Sequence, residues 1–213
     1  MFFWICFALS FLPLILIVPT KVVGRKKLPK KQGYIIVCNH YSNFDAPLLD
    51  IQLRKRLRFL AKKELFKNKF SAFFLKQYGG VAVDREKGDL SAIKNSLKIL
   101  KQNKPLVIFP EGTRNKNSEE GSLGHLHSGA VVIASMAKVP IVPIVILKRP
   151  KAFRKNTIII GEPFYAENET KTKLTKEEID ALTEQVGQKL TNLRNDYLAS
   201  LKQKHKNKQK GEN

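Results

Sequence analysis

The sequence predicts a mixed α/β domain in which helices flank a largely parallel sheet. Between residues 33 and 160, short apolar runs rich in valine and isoleucine alternate with longer stretches of helical periodicity. That alternation is typical of βαβ units, which build parallel sheets. Apolar residues make up 43% of the 213-residue chain, which is enough to pack one core.

Six apolar runs predict strands, and five further stretches predict helices. The predicted strands cover residues 34–38, 57–61, 81–83, 106–109, 141–147 and 157–160. The predicted helices cover residues 45–53, 63–77, 89–102, 128–137 and 175–201. The last helix has the clearest start, because Thr175 and Glu178 have the spacing of a capping box.

The two ends of the chain differ from this domain. Residues 2–18 carry no charge, and their length is close to the roughly 17–25 apolar residues that span a bilayer. Basic residues follow at once, which by the positive-inside rule places the rest of the chain in the cytoplasm. We expect a cell-membrane anchor over residues 1–20, a folded domain over 21–201 and a basic, disordered tail over 202–213. A shorter interfacial insertion is the alternative to a spanning anchor.

The formal net charge of +21 indicates an anionic partner. An anionic membrane and a nucleic acid both fit this charge. The apolar N-terminus favours membrane lipid, and the chain shows no zinc-finger, RRM or KH signature. We therefore expect no nucleic-acid partner, and a basic nucleic-acid-binding protein is the distant alternative.

A candidate catalytic pair follows the first predicted strand. His40 has the chemistry of a general base near neutral pH, and Asp45, five residues later, can orient its imidazole. The structural alternative is a histidine at a strand end followed by an aspartate that caps a helix. Ser42 lacks the sequence of a nucleophile elbow, and Cys38 fits a buried strand better than a nucleophile.

Two further polar blocks also follow predicted strands. Arg85 ends the block that begins at Gly79, and the second block comprises Glu111, Gly112, Thr113 and Arg114. The threonine and arginine suit a phosphate, and the carboxylate could accept a hydrogen bond from a substrate hydroxyl. An ordinary turn with a solvated ion pair is the structural alternative. Ligands bind outside the carboxyl ends of strands in open α/β sheets, so these blocks predict one shared site.

In order and spacing, these blocks resemble the 1-acylglycerol-3-phosphate acyltransferases, also called lysophosphatidic acid acyltransferases. The resemblance covers roughly residues 33–147 and four blocks. The first is Asn39-His40 with Asp45, and the second runs from Gly80 to Arg85. The third is Phe109-Pro110-Glu111-Gly112-Thr113-Arg114, and the fourth is Val139-Pro140-Ile141-Val142-Pro143.

The resemblance implies a fold, a reaction and a set of roles. His40 would be the general base on the free glycerol hydroxyl, oriented by Asp45. Arg85, Glu111, Gly112 and Arg114 would bind the phosphate of lysophosphatidic acid, and we add Thr113 to this set. The hydroxyl would attack the thioester of acyl-CoA or acyl carrier protein directly, with no cofactor and no acyl-enzyme, to give phosphatidic acid. Another lysophospholipid or glycerol 3-phosphate is the alternative acceptor.

One position departs from the family pattern. His127 stands where many members carry a lysine near the active site. A fixed positive charge is therefore not expected there. His125 and His127 alone make a poor metal site, so we expect no metal.

The predicted helix over residues 63–77 allows two interpretations. Phe66, Phe70, Phe73 and Phe74 share one face, with lysines partly around it. We favour an ordinary amphipathic core helix. A helix at the bilayer surface or the acyl groove is the alternative.

Overall fold

The computed structural model describes residues 17–83, 90–115, 123–166 and 174–210. Its seven strands form one sheet in the order β1-β7-β6-β2-β5-β3-β4. The strands are β1 Thr20–Val23, β2 Ile35–Cys38, β3 Arg58–Lys62, β4 Gly80–Val83, β5 Leu106–Ile108, β6 Ile141–Ile146 and β7 Asn156–Ile160. The described α-helices are α1 Asp45–Leu53, α2 Lys69–Gln77, α3 Leu90–Lys101, α4 Gly129–Ala137 and α5 Lys176–Lys210.

Strand direction gives the sheet two distinct edges. Strands β6, β2, β5, β3 and β4 are mutually parallel, so all five end at one edge, here called the carboxyl edge. Strand β7 is antiparallel to β6, and β1 is parallel to β7, so these two strands begin at the carboxyl edge. The predicted α/β fold with a largely parallel sheet is confirmed.

Central strand β2 is buried on both faces, as expected for a parallel sheet covered by helices. Its side chains alternate between two cores. Ile36 and Cys38 belong to a core that includes residues of α1. Ile35 and Val37 belong to a core on the other face, which includes residues of α3, α4 and α5. The strand that carries the candidate histidine is therefore held rigidly from both sides.

The predicted helix over residues 63–77 is two elements. A 3-10 turn covers Lys63–Phe66, and α2 begins after Asn68, whose side-chain oxygen accepts hydrogen bonds from the Phe70 and Ser71 amides at 2.9 and 3.2 Å. No residue of α2 is buried, and Phe70 is 74% exposed. The favoured interpretation as an ordinary core helix is wrong, because α2 buries no residue and the rings of Phe70 and Phe73 are exposed.

Strand β1 was not predicted. It begins at Thr20, inside the span predicted as an anchor, and pairs with β7. Residues 1–16, which hold most of the predicted anchor, lie outside the described residues. Within the described ranges, no helix is long and apolar enough to cross a membrane.

Helix α5 has the predicted start. The Thr175 amide donates to Glu178 Oε2 at 2.8 Å, and the Glu178 amide donates to Thr175 Oγ1 at 3.3 Å, which confirms the capping box. The helix extends through Lys210, past the boundary predicted at Leu201. The extension consists largely of lysine and glutamine, which are good helix formers, and the first glycine comes only at Gly211.

Candidate active site

The loop after β2 brings His40 and Asp45 together. Asp45 Oδ2 lies 2.9 Å from His40 Nδ1, and the Asp45 side chain has no exposed surface. The same oxygen accepts hydrogen bonds from the amides of Tyr41 and Ser42 at 2.6 and 2.7 Å. Because this oxygen acts as an acceptor, Nδ1 carries the proton, which leaves Nε2 of the neutral ring as the basic nitrogen.

Asp45 is not a helix cap. It is the first residue of α1, and the cap position belongs to Phe44, which has no side-chain capping bond. The Asp45 carboxylate instead turns back toward the loop that precedes it, where it receives the amides of Tyr41 and Ser42. The alternative interpretation, in which Asp45 caps the helix, therefore does not fit its contacts.

Neither nearby candidate nucleophile is placed to react. Ser42 Oγ donates to Asp45 Oδ1 at 3.1 Å and accepts from the Phe44 amide at 3.1 Å, so it serves the loop. Cys38 is fully buried in β2. Burial raises the pKa of the Cys38 thiol well above its ordinary value, and the Asp45 charge adds to this effect.

The imidazole of His40 is fixed on its face as well as at Nδ1. The ring of Phe109 stacks on it with a centroid distance of 4.0 Å and an interplanar angle of 18°. The His40 side chain retains 17% of its surface in solvent. A substrate can therefore reach a ring whose orientation is already set.

The side chain of Glu111 is buried and joins three segments of the chain by hydrogen bonds, although the sequence predicts that this residue binds the substrate. The residue as a whole is 6% exposed. Oε1 accepts from the backbone amide of His40 at 3.1 Å. Oε2 accepts from the Asn115 side chain at 3.1 Å and from the Gly124 amide at 3.0 Å. Glu111 thereby joins the loop after β2, the loop after β5 and the segment before α4.

The rest of the second block forms a tight turn. Gly112 has a φ of 66°, and its amide donates to the Phe109 carbonyl at 3.1 Å. A β-carbon at this glycine would lie 2.8 Å from His127 Cδ2, so a side chain here would displace the His127 ring as well as strain the backbone. Thr113 and Arg114 follow the turn and are exposed. Arg85 lies outside the described residues.

Two asparagines support the site in ways the sequence did not predict. Asn39 bridges β2 to β6, because its side chain donates to the Ile146 carbonyl at 3.0 Å and accepts from the Ile146 amide at 2.9 Å. The Asn115 amide donates to the His40 carbonyl at 2.8 Å. The sequence does show an asparagine beside each of the two motifs. It does not show what these asparagines bind, because their hydrogen-bond partners lie far away in sequence.

His127 lies against the turn at Gly112, and its ring is 5.4 Å from the ring of His125. Both histidines are exposed. Among the described residues, no group of three or more histidine, cysteine, aspartate or glutamate side chains could hold a metal ion. The geometry therefore places His127 beside the candidate phosphate turn without assigning it a ligand.

Comparison with known proteins identifies the family. The sequence model of the family described as Acyltransferase matches residues 19–147, which include all four sequence blocks. The chain belongs to this acyltransferase family. The resemblance drawn from the four sequence blocks is thus confirmed.

Three relatives of this acyltransferase show how far the similarity extends. A 1-acyl-sn-glycerol-3-phosphate acyltransferase of Bacillus subtilis is 36% identical over 182 residues, covering 82% of this chain and 88% of the relative. The human 1-acyl-sn-glycerol-3-phosphate acyltransferase alpha is 34% identical over 128 residues, covering 59% of this chain and 44% of the relative. The crystal structure of PlsC, the LPA acyltransferase of Thermotoga maritima, matches with a TM-score of 0.64 at 25% identity, covering 91% of this chain and 76% of that one.

Changing Glu111→Gln tests the linking role of this carboxylate. In the glutamine variant, an NH2 group replaces one of the two oxygens and faces N–H donors that the carboxylate accepts. We therefore expect the free energy of unfolding to fall by about 1–3 kcal/mol. The matched control is Glu162→Gln, which removes an exposed ion pair with Lys27 at 3.0 Å. Denaturant unfolding of this control should show a loss of no more than about 1 kcal/mol. Equal stability of the two variants would contradict the linking role.

Proposed function

We propose that this acyltransferase transfers an acyl group from acyl-CoA or acyl carrier protein to the sn-2 hydroxyl of 1-acylglycerol 3-phosphate, giving phosphatidic acid. The observation that carries the proposal is the buried Asp45 carboxylate bound to His40 at the carboxyl edge. Two further findings support it: the family match and the names of the relatives.

The reaction follows from the orientation of the imidazole. His40 Nε2 takes the proton of the glycerol hydroxyl as its oxygen attacks the thioester carbonyl. The tetrahedral intermediate then collapses, the carbon–sulfur bond breaks, and the imidazolium returns the proton to the departing thiolate. Asp45 holds the ring in position and stabilises its positive charge during the transfer.

The acceptor phosphate is assigned to the exposed turn beside His40. Arg114 and Thr113 are accessible there, and Arg85 is proposed as a second cation on the basis of sequence. A guanidinium binds a phosphate through paired donors. Gly112 permits the turn, and Glu111 acts as a positioning residue because its oxygens already accept protein donors.

The enzyme is proposed to work at the cell membrane with its catalytic domain on the cytoplasmic side. The uncharged residues 2–18 and the basic residues that follow support this location. Residues 1–16 would anchor the chain, because Val18 is buried in the core and β1 begins at Thr20. Membrane lipid would then supply an acceptor whose acyl tail is already in the bilayer.

Changing His40→Ala should abolish most acyl transfer. General-base catalysis contributes about 10²–10⁴-fold, so turnover of lysophosphatidic acid should fall by at least that range. The measurement is release of free thiol from acyl-CoA or acyl carrier protein by the full chain. His125→Ala is the matched control, because this exposed histidine lies outside the pair and should leave turnover near normal. Normal turnover of His40→Ala would refute the mechanism.

Changing Arg114→Ala should raise KM for lysophosphatidic acid. Loss of a charged hydrogen bond of about 1.5–3 kcal/mol corresponds to roughly 10- to 100-fold weaker binding. Arg114→Lys keeps the charge and should recover part of the loss, whereas KM for the acyl donor should stay nearly constant in both variants. Steady-state kinetics with each substrate varied in turn provides the measurement. Equal increases in both KM values would argue against a phosphate role.

A further inference from the structure

The loop between β6 and β7 carries a dense cluster of positive charge. Residues 148–155, here called the basic loop, hold five basic side chains and no acidic one. The basic residues are Lys148, Arg149, Lys151, Arg154 and Lys155, and all except the half-buried Arg149 are exposed. Like charges in one short loop repel one another, and an anion bound among them relieves that repulsion. The basic loop therefore has the charge of an anion-binding site.

Hydrogen bonds hold the basic loop in a defined shape. The buried Asn156 side chain donates to the Lys148 carbonyl at 3.0 Å and accepts from the Lys148 amide at 3.3 Å, which closes the base of the loop. Farther along, the Arg154 amide donates to the Lys151 carbonyl at 3.2 Å, which closes a turn. The cations are thus carried on a backbone whose path is set by these bonds.

Phe153 lies in this turn and combines two features that packing does not explain. It is 82% exposed, so its ring contributes little to the core. Its φ is 58°, a left-handed conformation that is unfavourable for a bulky side chain. Glycine would suit this backbone, and a polar residue would suit this exposure. An exposed ring held in an unfavourable conformation indicates a ligand contact.

The basic loop starts beside the catalytic histidine. The Asn39 side chain bonds the amide and the carbonyl of Ile146 at 2.9 and 3.0 Å, so the end of β6 adjoins the residue before His40. Arg149 Nη2 donates to the Asn115 carbonyl at 3.0 Å, and the Asn115 amide donates to the His40 carbonyl at 2.8 Å. The start of the loop is therefore attached to the segment that holds the base.

Strand order places the basic loop and the proposed acceptor site on different sides of His40. Strand β2, which leads to His40, lies between β6 and β5. The turn that carries Arg114 follows β5, whereas the basic loop follows β6. The reaction brings two substrates to one histidine, so the acceptor and the acyl donor need separate approaches. If the acceptor phosphate lies on the β5 side, the β6 side serves the donor.

A second basic segment is a poorer candidate for the donor. Residues 62–69 contain four lysines, but Glu64 lies among them. The segment begins at the end of β3, and β5 separates β3 from β2. It therefore starts one strand farther from His40 than the basic loop does.

The donor that fits the basic loop is a thioester of CoA. Its nucleotide offers a pyrophosphate and a ribose phosphate to lysine and arginine, and an adenine on which an exposed aromatic ring can stack. Phe153 is seven residues beyond Ile146, so even a fully extended chain would place it within about 25 Å, and the turn shortens this distance. The pantetheine arm of CoA, which contains two amide units, bridges a gap of that order.

We propose that the basic loop binds the nucleotide of an acyl-CoA donor. Phe153 stacks on the adenine. Lys151, Arg154 and Lys155 bind the phosphates, and the pantetheine arm passes along the end of β6 to present the thioester at His40. The inference deepens the proposed function and rests on it for the thioester chemistry, and it selects CoA over acyl carrier protein. The nucleotide site can be measured without turnover.

The first test measures nucleotide binding in the full chain. Trp4 is the only tryptophan, so Phe153→Trp is made in a Trp4→Phe background and titrated with adenosine 3′,5′-bisphosphate. We expect saturable quenching, because the adenine stacks on the indole, and weaker binding at higher salt. The matched control is Met136→Trp in the same background, because Met136 is 57% exposed near the end of α4, which leads to the opposite edge of the sheet. The control should not respond.

Three results of this titration would overturn the proposal. The first is the absence of quenching at residue 153. The second is equal quenching at residues 136 and 153, which would show unspecific contact. The third is a response to RNA or to anionic vesicles but not to the bisphosphate, which would assign the basic loop to a different partner.

The second test separates the binding role of Phe153 from a structural one. In Phe153→Gly, the backbone adopts its φ without strain and little burial is lost, so the thermal unfolding midpoint should stay constant or rise. Loss of a base–aromatic contact should raise KM for acyl-CoA by about 5- to 100-fold, whereas KM for lysophosphatidic acid should not change. A lower midpoint with unchanged KM for acyl-CoA would show a structural ring and contradict the proposal.

The charge requirement is tested with two donors and matched double variants. Arg154→Glu with Lys155→Glu should raise KM for acyl-CoA by about tenfold or more, because charged hydrogen bonds to phosphate are lost. KM for an acyl-N-acetylcysteamine thioester, which lacks the nucleotide, should stay nearly constant. Lys98→Glu with Lys101→Glu makes the same charge change on exposed residues near the end of α3 and should affect neither donor. Equal increases with both donors would overturn the nucleotide role.

Two further outcomes separate this inference from the proposed function. If the unsubstituted chain uses acyl carrier protein but not acyl-CoA, the nucleotide site is refuted and the proposed function stands. If it transfers an acyl group from no thioester to lysophosphatidic acid, the proposed function fails, and the quenching titration still decides whether the basic loop binds the nucleotide.

Discussion

The arrangement of the active site depends on one buried carboxylate. Asp45 accepts hydrogen bonds from His40, Tyr41 and Ser42, and its side chain has no contact with solvent. Burial of a carboxylate is costly unless its oxygens are hydrogen-bonded, so the loop after β2 must wrap around it. The same requirement holds at Glu111, whose partners come from three separate segments. These two carboxylates set both the position of the histidine and the path of the loops around it.

The fold was predictable where sequence periodicity and burial agree. Helix α1 has its predicted bounds, and β2 and β6 follow uninterrupted apolar runs. Strand β1 was missed because its sequence adjoins both the apolar run and the basic segment, and only pairing with β7 defines it. The break at Asn68 was missed because the aromatic spacing continues across it. The helix begins there because the Asn68 side chain caps it, even though the aromatic spacing continues across this residue.

The candidate site was predictable as a set of residues but only partly as a set of contacts. Spacing alone brings His40 and Asp45 together across one short loop, and the structure places them in contact. The bond from the His40 amide to Glu111 joins residues 71 positions apart, which no local pattern specifies. For this reason Glu111 was predicted to touch substrate, whereas its oxygens accept protein donors. The proposed phosphate role of Arg114 and Arg85 stays a prediction.

The central claim is that Asp45 fixes the neutral His40 ring with its proton on Nδ1, so that Nε2 can accept the proton of the substrate hydroxyl. The direct measurement is ¹⁵N NMR of the imidazole nitrogens in histidine-labelled full chain, with His40→Ala used to assign the signals. The account predicts a protonated Nδ1 and an unprotonated Nε2 for His40 at a pH where the ring is neutral. The opposite tautomer, with the proton on Nε2, would contradict it, because that ring could not act as the base.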